Sequence, residues 1–167
     1  MIIVSDTTPF RYLIEIDAVD ILSALFGQVI IPEAVALELQ HQKTPQKVKN
    51  WIQSPPVWLE MRKANLSFFT PLEQIGISET EAIALAIEFK ADAILIDENL
   101  GKEEAVRVGL LVLRTLAILE TAALRDLIDL PQVVARLMET TFRATPKLYQ
   151  DLLDRDALRK QAKQSGS

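Results

Sequence analysis

The sequence contains no cysteine and one histidine, His41, so it excludes a disulfide framework, a thiolate metal site and a multi-histidine zinc site. Glycine is also scarce. With 5 glycines in 167 residues, the chain has neither the phosphate-binding loop of P-loop proteins nor the dinucleotide-binding fingerprint. Any metal ion must therefore be held by carboxylates, which suit Mg²⁺ or Mn²⁺.

Membrane and export signals are missing as well. The sequence has no run of about 18 uncharged apolar residues, and its N-terminus lacks the basic start and small-residue cleavage site of a signal peptide. We therefore expect a cytoplasmic protein that does not span a membrane. The net charge of −5 argues against broad electrostatic binding to nucleic acid but leaves room for a local site.

Short β-branched runs alternate with amphipathic stretches through the first 130 residues. Strands are predicted at 2–4, 29–31, 57–61, 93–96 and 110–113, and helices at 9–26, 32–40, 44–55, 79–89, 100–108 and 116–126. This alternation predicts an α/β/α sandwich with a central parallel sheet of about four or five strands.

The chain after residue 130 is predicted to contain only helices, at 131–139 and 145–163. We expect residues 1–130 to form the α/β domain, residues 131–163 to form helices packed on it, and residues 164–167 to be a disordered tail. The charge changes at the same place. Residues 1–130 carry 11 basic and 19 acidic groups, whereas 131–167 carry 7 and 4.

The first eight residues place an acid at the end of a strand. Asp6 follows the run 2–4, and Thr8-Pro9 is typical of a helix start with Thr8 as its N-cap. The carboxyl edge of an open α/β sheet is where ligands bind, so Asp6 is a candidate metal ligand or catalytic group. The alternative is that Asp6 only caps a turn.

Further acids occupy comparable positions. Glu38 lies in the helix after the second strand, Glu81 completes a predicted capping box with Ser78, and Asp97 and Glu98 follow the strand at 93–96. Carboxylates gathered at one edge repel unless a divalent cation neutralises them or some are protonated. Such an oxygen-ligand site suits hydrolysis of a phosphodiester. Each acid also has an ordinary explanation, as a cap, a turn residue or a solvent-facing side chain.

At these residues the sequence resembles the PIN-domain family of metal-dependent ribonucleases, most closely a prokaryotic subgroup whose members are often taken for VapC-type toxins. The four matching motifs are Ile-Ile-Val-Ser-Asp-Thr-Thr-Pro at 2–9, Ile-Pro-Glu-Ala-Val-Ala-Leu-Glu-Leu at 31–39, Glu-Thr-Glu-Ala-Ile-Ala-Leu-Ala at 79–86 and Ala-Ile-Leu-Ile-Asp-Glu at 93–98. Each motif alone is weak, but the ordered set is specific.

The resemblance implies a set of site residues. The implied metal ligands are Asp6, Glu38, Glu81 and Asp97, with Glu98 as an alternative or additional fourth ligand. Two features depart from the family pattern: the third acid is often aspartate, and the fourth acid usually follows threonine or serine, whereas Ile96 stands here. Thr7 matches the polar residue after the first acid and is expected to hold Asp6 or a metal-bound water, or to serve the turn.

Two cations follow the acids closely enough to line the rim of such a site. Arg11 and Lys102 are candidates for contacting phosphate oxygens of RNA, although each is also explained as a solvated helix charge.

Taken together, the residues and the resemblance predict a Mg²⁺- or Mn²⁺-dependent endoribonuclease, with the role of toxin in a toxin–antitoxin pair. The expected partners are an RNA substrate, a cognate antitoxin protein and a second copy of the chain in a homodimer. Residues 131–163 are predicted either to cover an edge of the sheet or to form the subunit or antitoxin interface. The alternative is a PIN-like module that binds protein or RNA without cleaving it.

Overall fold

The sheet is built from the predicted β-branched runs. The computed structural model describes residues 1–166, and within them the strands are β1 (Ile3–Ser5), β2 (Val29–Pro32), β3 (Leu59–Arg62), β4 (Ala93–Leu95) and β5 (Val112–Leu113). They form one sheet in the order β3-β2-β1-β4-β5, and every neighbouring pair is parallel. The predicted parallel sheet is therefore confirmed, with five strands.

The three central strands explain why the sequence shows continuous apolar runs here instead of alternation. Every residue of β1, β2 and β4 is buried. Successive side chains of a strand point to opposite faces, so both faces of the sheet are covered. This is the arrangement of an α/β/α sandwich, as the sequence predicts.

The helices follow the predicted stretches with shifted ends. They are α1 (Thr7–Glu15), α2 (Ile21–Phe26), α3 (Glu33–Leu39), α4 (Gln46–Gln53), α5 (Ile77–Glu88), α6 (Asn99–Arg107), α7 (Thr115–Leu124), α8 (Leu130–Met138) and α9 (Pro146–Ser165). The stretch predicted at 9–26 contains two helices, because Asp17 adopts a left-handed conformation with φ 58° and ends the first. Residues 66–68 form a single 3₁₀ turn inside the predicted loop.

Helix α5 is deeply buried against the sheet. All residues from Ala82 to Ala86 have 0% exposure, and the helix contacts β1, β2 and β4. The chain enters α5 from the carboxyl side of β3, so its first turn lies at the same edge as the end of β1. This edge carries the acids considered below.

The chain divides into two compact units. The first, Met1–Thr115, contains the whole sheet. The second begins at Leu116 and includes α8 and α9; within it, Arg155 pairs with Glu120 and Lys163 with Asp126. The predicted domain boundary at residue 130 falls at the start of α8.

Two further predictions concern the end of the chain and the membrane. Gln164 and Ser165, placed in the predicted disordered tail, lie in α9, whereas Ser167 of the same tail lies outside the described residues. Within residues 1–166, every helix falls short of the length or the apolar character that a bilayer crossing requires.

Candidate active site

Asp6 is a buried acid at the junction of β1 and α1. It follows β1 directly and is the N-cap residue of α1, which begins at Thr7. The prediction of Thr8 as the N-cap was wrong, because Thr8 lies inside the first turn of α1. The backbone N–H of Asp6 donates to the carbonyl of Leu95 in β4 at 2.9 Å, which fixes the residue at the carboxyl edge of the two central strands.

The surroundings of Asp6 oppose its ionisation. Asp6 is only 2% exposed, and its pKa is raised from 3.8 to about 7 with burial as the largest cause. The charges of Glu79 and Glu38 contribute to this rise, whereas the backbone N–H of Thr7 and the hydroxyl of Ser78 oppose it. Asp6 is therefore a carboxyl group that changes protonation near neutral pH.

Asp6 and Thr7 also present buried oxygens that bind nothing in the described chain. Within residues 1–166, neither Asp6 Oδ1 nor Thr7 Oγ1 has a hydrogen-bond partner. Buried polar atoms are rarely left in this state, because an unmade hydrogen bond costs about 1–3 kcal/mol. Two such atoms on adjacent residues indicate a place where a ligand supplies the missing contact.

Glu79 lies in the first turn of α5 and is half-buried. Its Oε2 accepts a hydrogen bond from the backbone N–H of Gly76, the N-cap residue, at 3.2 Å. Burial raises the pKa of Glu79, and the charges of Glu98 and Glu38 raise it further. Glu79 therefore couples electrostatically to the other acids of this edge.

Glycine at position 101 leaves room for Glu79. A methyl group on Gly101 would lie 3.4 Å from Cγ of Glu79 and 3.3 Å from Cγ2 of Ile96. Because α6 comes this close, Glu79 is held between the first turns of two helices.

Glu81, the predicted third ligand, has a different partner. Its Oε2 accepts a hydrogen bond from the backbone N–H of Ala34 at 3.0 Å, so it satisfies a free donor in the first turn of α3. The predicted capping box of Ser78 and Glu81 was wrong, because α5 begins two residues earlier and is capped at Gly76 by Glu79. The ligand role of Glu81 stays a prediction.

Asp97, the predicted fourth ligand, is tied to Thr115. The backbone N–H of Thr115 donates to Oδ1 at 2.9 Å, and its hydroxyl donates to Oδ2 at 2.5 Å. Burial raises the pKa of Asp97, and these two hydrogen bonds oppose that effect. Arg114 donates to the backbone carbonyl of Asp97. Both carboxylate oxygens of Asp97 therefore already accept hydrogen bonds from Thr115.

Replacing Thr115 by valine should destabilise the fold and spare the chemistry of the site. Valine keeps the branched shape but removes the donor to Oδ2, leaving a buried carboxylate oxygen unpaired. We expect the free energy of unfolding to fall by about 1.5–3 kcal/mol, measured by urea unfolding. Thr121→Val, which removes only a hydroxyl bonded to the carbonyl of Ala117 within α7, is the control. Equal losses in both variants would contradict the assignment.

Glu98 and Glu38 are the exposed members of the group. Glu98 is the N-cap residue of α6, and Glu38 lies near the end of α3. Within residues 1–166, no group donates a hydrogen bond to either side-chain carboxylate. These two side chains are therefore available to bind an ion.

A comparison with protein-family models decides the family. A model described as a PIN domain matches residues 2–157 of the chain. The chain belongs to the PIN-domain family. Neither the curated proteins nor the solved structures gave a match. PIN domains are generally nucleases, so membership supports a nuclease-type function for this chain.

The donor set of this PIN domain fits a divalent cation in chemistry. PIN domains typically use divalent metal ions. Here Asp6 has a buried, unpartnered Oδ1, and the acids whose charges raise its pKa, Glu79 and Glu38, carry the oxygen ligands that Mg²⁺ prefers. However, no three acid or histidine side chains among residues 1–166 converge in a ready-made metal site. The residues offer the right ligands without a closed coordination shell.

The two cations predicted to contact RNA differ in this PIN domain. Arg11 donates from Nε to Oε2 of Glu15 at 3.2 Å, and its guanidinium lies 5.2 Å from the ring centroid of Tyr12. Lys102 is half-buried in α6 and forms no ion pair with a described residue. Lys102 is therefore the better placed of the two to bind a phosphate.

The sequence analysis did not single out Ser78 and Glu79, both of which affect the pKa of Asp6. A weaker signal was present, since glycine is also accepted at an N-cap and Glu79 follows Gly76 by three residues, but Ser78-x-x-Glu81 is the stronger capping-box pattern. Choosing the earlier start places Ser78 on the buried side of the first turn and Glu79 beside Asp6.

Proposed function

We propose that this PIN domain is a Mg²⁺- or Mn²⁺-dependent endoribonuclease. The observation that carries the proposal is Asp6, a buried acid with an unpartnered oxygen and a pKa raised by burial and by Glu79 and Glu38. Holding an ionised carboxylate in such a place is unfavourable unless a cation offsets it. The same environment therefore supports a metal site and disfavours a purely structural acid.

The proposed ligands are Asp6, Glu38, Glu79 and Glu98. Glu79 takes the place of Glu81 in the proposed set because the charge of Glu79 raises the pKa of Asp6, whereas Glu81 is absent from the charges that act on Asp6 and binds the Ala34 amide. Glu98 replaces Asp97 because both oxygens of Asp97 are bonded to Thr115. When bound, the cation would supply positive charge for the phosphodiester and a means of activating water.

The chain's own residues would position the ligands and the substrate. The hydroxyl of Ser78, which lowers the pKa of Asp6, would hold its carboxylate in place. The unpartnered hydroxyl of Thr7 is free to bind a water or a phosphate oxygen. Lys102, in the helix that begins after Glu98, would neutralise a phosphate of the RNA.

Cleavage of a circular single-stranded RNA tests the proposal. A circle has no ends, so only an endonuclease can open it. We expect the purified protein to linearise the circle with Mn²⁺ or Mg²⁺ and to leave it intact in a chelator. An intact circle under all conditions would contradict the proposal, and cleavage of a matched DNA circle at equal rate would contradict the assignment to RNA.

A binding module without nuclease activity is the second candidate. The observation that favours it is that no three ligating side chains among residues 1–166 converge as they stand. A protein that retains RNA in the presence of chelator, and never opens the circle, would have this function.

The setting we propose is a toxin–antitoxin pair in the cytoplasm, with an antitoxin covering the acidic edge. The support is the resemblance to VapC-type proteins together with the acidic balance of residues 1–130 and the basic balance of residues 131–167. We also propose a homodimer formed through residues 131–163. Light scattering of the purified chain should give twice the mass of 18.7 kDa, and a mass of one chain would contradict the dimer.

A further inference from the structure

Glu104 is a buried acid that the proposed site does not use. It lies in α6, is 3% exposed, and is absent from the charges that raise the pKa values of Asp6 and Glu79. Its Oε2 accepts a hydrogen bond from the backbone N–H of Leu72 at 2.8 Å. This contact indicates that Glu104 fixes the position of a loop 32 residues earlier in the chain.

Arg107 completes the contact. It donates to Glu104 through both Nε, at 3.2 Å from Oε1, and a terminal nitrogen, at 2.9 Å from Oε2. The terminal nitrogen also reaches the carbonyl of Thr70 at 3.4 Å, and the guanidinium lies 5.9 Å from the ring centroid of Phe69. The two-pronged pair is strong and specific in geometry. We call Glu104 and Arg107 the loop clamp.

The segment that the loop clamp holds has no regular structure of its own. Residues 69–76 join the 3₁₀ turn to the first turn of α5 and form neither helix nor strand. Phe69 at the start of the segment is buried, and Ile75 near its end packs against the same core cluster. Between these two side chains, the loop clamp binds the backbone of Thr70 and Leu72. Segments with few backbone hydrogen bonds open easily.

The same helix also contacts the far end of this segment. Gly101 and Glu104 are three residues apart and so lie on one face of α6. Gly101 lies against Glu79, and Glu104 binds Leu72. Helix α6 therefore positions both the loop and the acid that follows it.

We propose that Glu104 is a positioning residue: with Arg107 it anchors residues 69–76 to α6 and so sets Ser78 and Glu79 against Asp6. This inference rests on the proposed function, since the placement of Glu79 bears on activity only if Glu79 serves the acidic site. Glu104 itself touches neither substrate nor ion.

Amide hydrogen exchange on the full chain tests the anchoring without any metal. In Glu104→Ala we expect exchange at the Leu72 amide to rise about tenfold or more, with a similar rise at the Gly76 and Thr80 amides, which bond to Glu79 Oε2 and to the Gly76 carbonyl. Amides of the central strands should be unchanged. Glu104→Gln keeps an acceptor for Leu72 and should restore protection to within about threefold of the wild type.

Mn²⁺ affinity provides the second readout. Glu104→Ala should weaken Mn²⁺ binding by about tenfold to 100-fold, as loss of a supporting contact does in metal sites. Glu103→Gln, at an exposed acid on the same helix, is the matched control and should change neither quantity. Unchanged exchange at Gly76 and Thr80 in Glu104→Ala, even with lower overall stability, would overturn the inference.

The two proposals fail separately. If the wild type neither binds Mn²⁺ nor opens circular RNA, the proposed function fails, and the exchange at Gly76 and Thr80 alone decides whether the loop clamp positions α5. If the wild type binds Mn²⁺ and Glu104→Ala binds it equally well, the proposed function stands and the inference fails.

Discussion

Replacing Asp6 by asparagine should abolish RNA cleavage and at the same time make the metal-free protein more stable at pH 8. Burial and the charges of Glu79 and Glu38 penalise the ionised form of Asp6, and asparagine has no charge to penalise. The variant keeps the size and shape of the side chain. An acid kept for its chemistry and not for stability should behave in this way.

The raised pKa of Asp6 determines how the stability of the wild type changes with pH. In the unfolded chain Asp6 ionises near its ordinary pKa of 3.8, whereas in the folded chain its pKa is raised to about 7. Below pH 3.8 the group is protonated in both states and favours neither. As the pH rises toward and through 7, the folded state binds the proton more tightly than the unfolded state, so the wild type loses stability.

The size of the pKa shift of Asp6 limits how much stability the Asp6→Asn variant can gain. A rise from 3.8 to about 7 corresponds to at most about 4 kcal/mol at pH 8. Urea unfolding in a chelator should therefore show Asp6→Asn to be about 2–4 kcal/mol more stable at pH 8, with little difference near pH 4. Asp20→Asn, at an exposed acid of the same unit, is the control. An Asp6→Asn variant that is less stable at pH 8, or that still cleaves RNA, would contradict the account.

Glutamine at position 79 and glutamine at position 81 should have opposite consequences. Glu79→Gln removes a charge that couples to Asp6 and Glu98, so we expect cleavage to fall on the order of 100-fold or more. Glu81→Gln keeps an oxygen for the Ala34 amide and should cleave RNA within about threefold of the wild type.

A stability measurement tests the structural role of Glu81. Glu81→Ala leaves the Ala34 amide without its acceptor and should lower the free energy of unfolding by about 1–2 kcal/mol. The rate at which each variant opens the circular RNA gives the activity, and urea unfolding of the same preparations gives the stability. If Glu81→Gln were inactive and Glu79→Gln active, the ligand set derived from the sequence resemblance would be right and the set proposed from the structure wrong.

The sheet was predictable because strands that are buried on both faces consist of consecutive apolar residues. Ile3 and Val4 are both fully buried and point to opposite faces, so a strand covered on both sides appears as an unbroken apolar run. The order of strands and helices fixed the edge at which Asp6 and the later acids lie. A parallel topology brings strand ends together whatever the details of each loop.

The membership of the site was harder to predict because it depends on partners that are distant in sequence. Whether Glu79 or Glu81 faces Asp6 depends on where α5 begins, and two overlapping cap patterns predict starts two residues apart. The Ala34 amide that engages Glu81 lies 47 residues away.

The fourth acid shows the same limit. Asp97 and Glu98 are adjacent, and the spacing after β4 allows either to be the ligand. The bonds that engage Asp97 come from Thr115, which is 18 residues further along. No local pattern around residue 97 reveals that partner.

Calorimetric titration of the metal-free protein with Mn²⁺ at pH 8 tests the central claim most directly, because the account requires a cation to gather around Asp6. We expect saturable binding by the wild type and by Glu81→Gln, and its loss in Asp6→Asn and Glu79→Gln. Equal binding by wild type and Asp6→Asn, or no binding by the wild type, would contradict the claim.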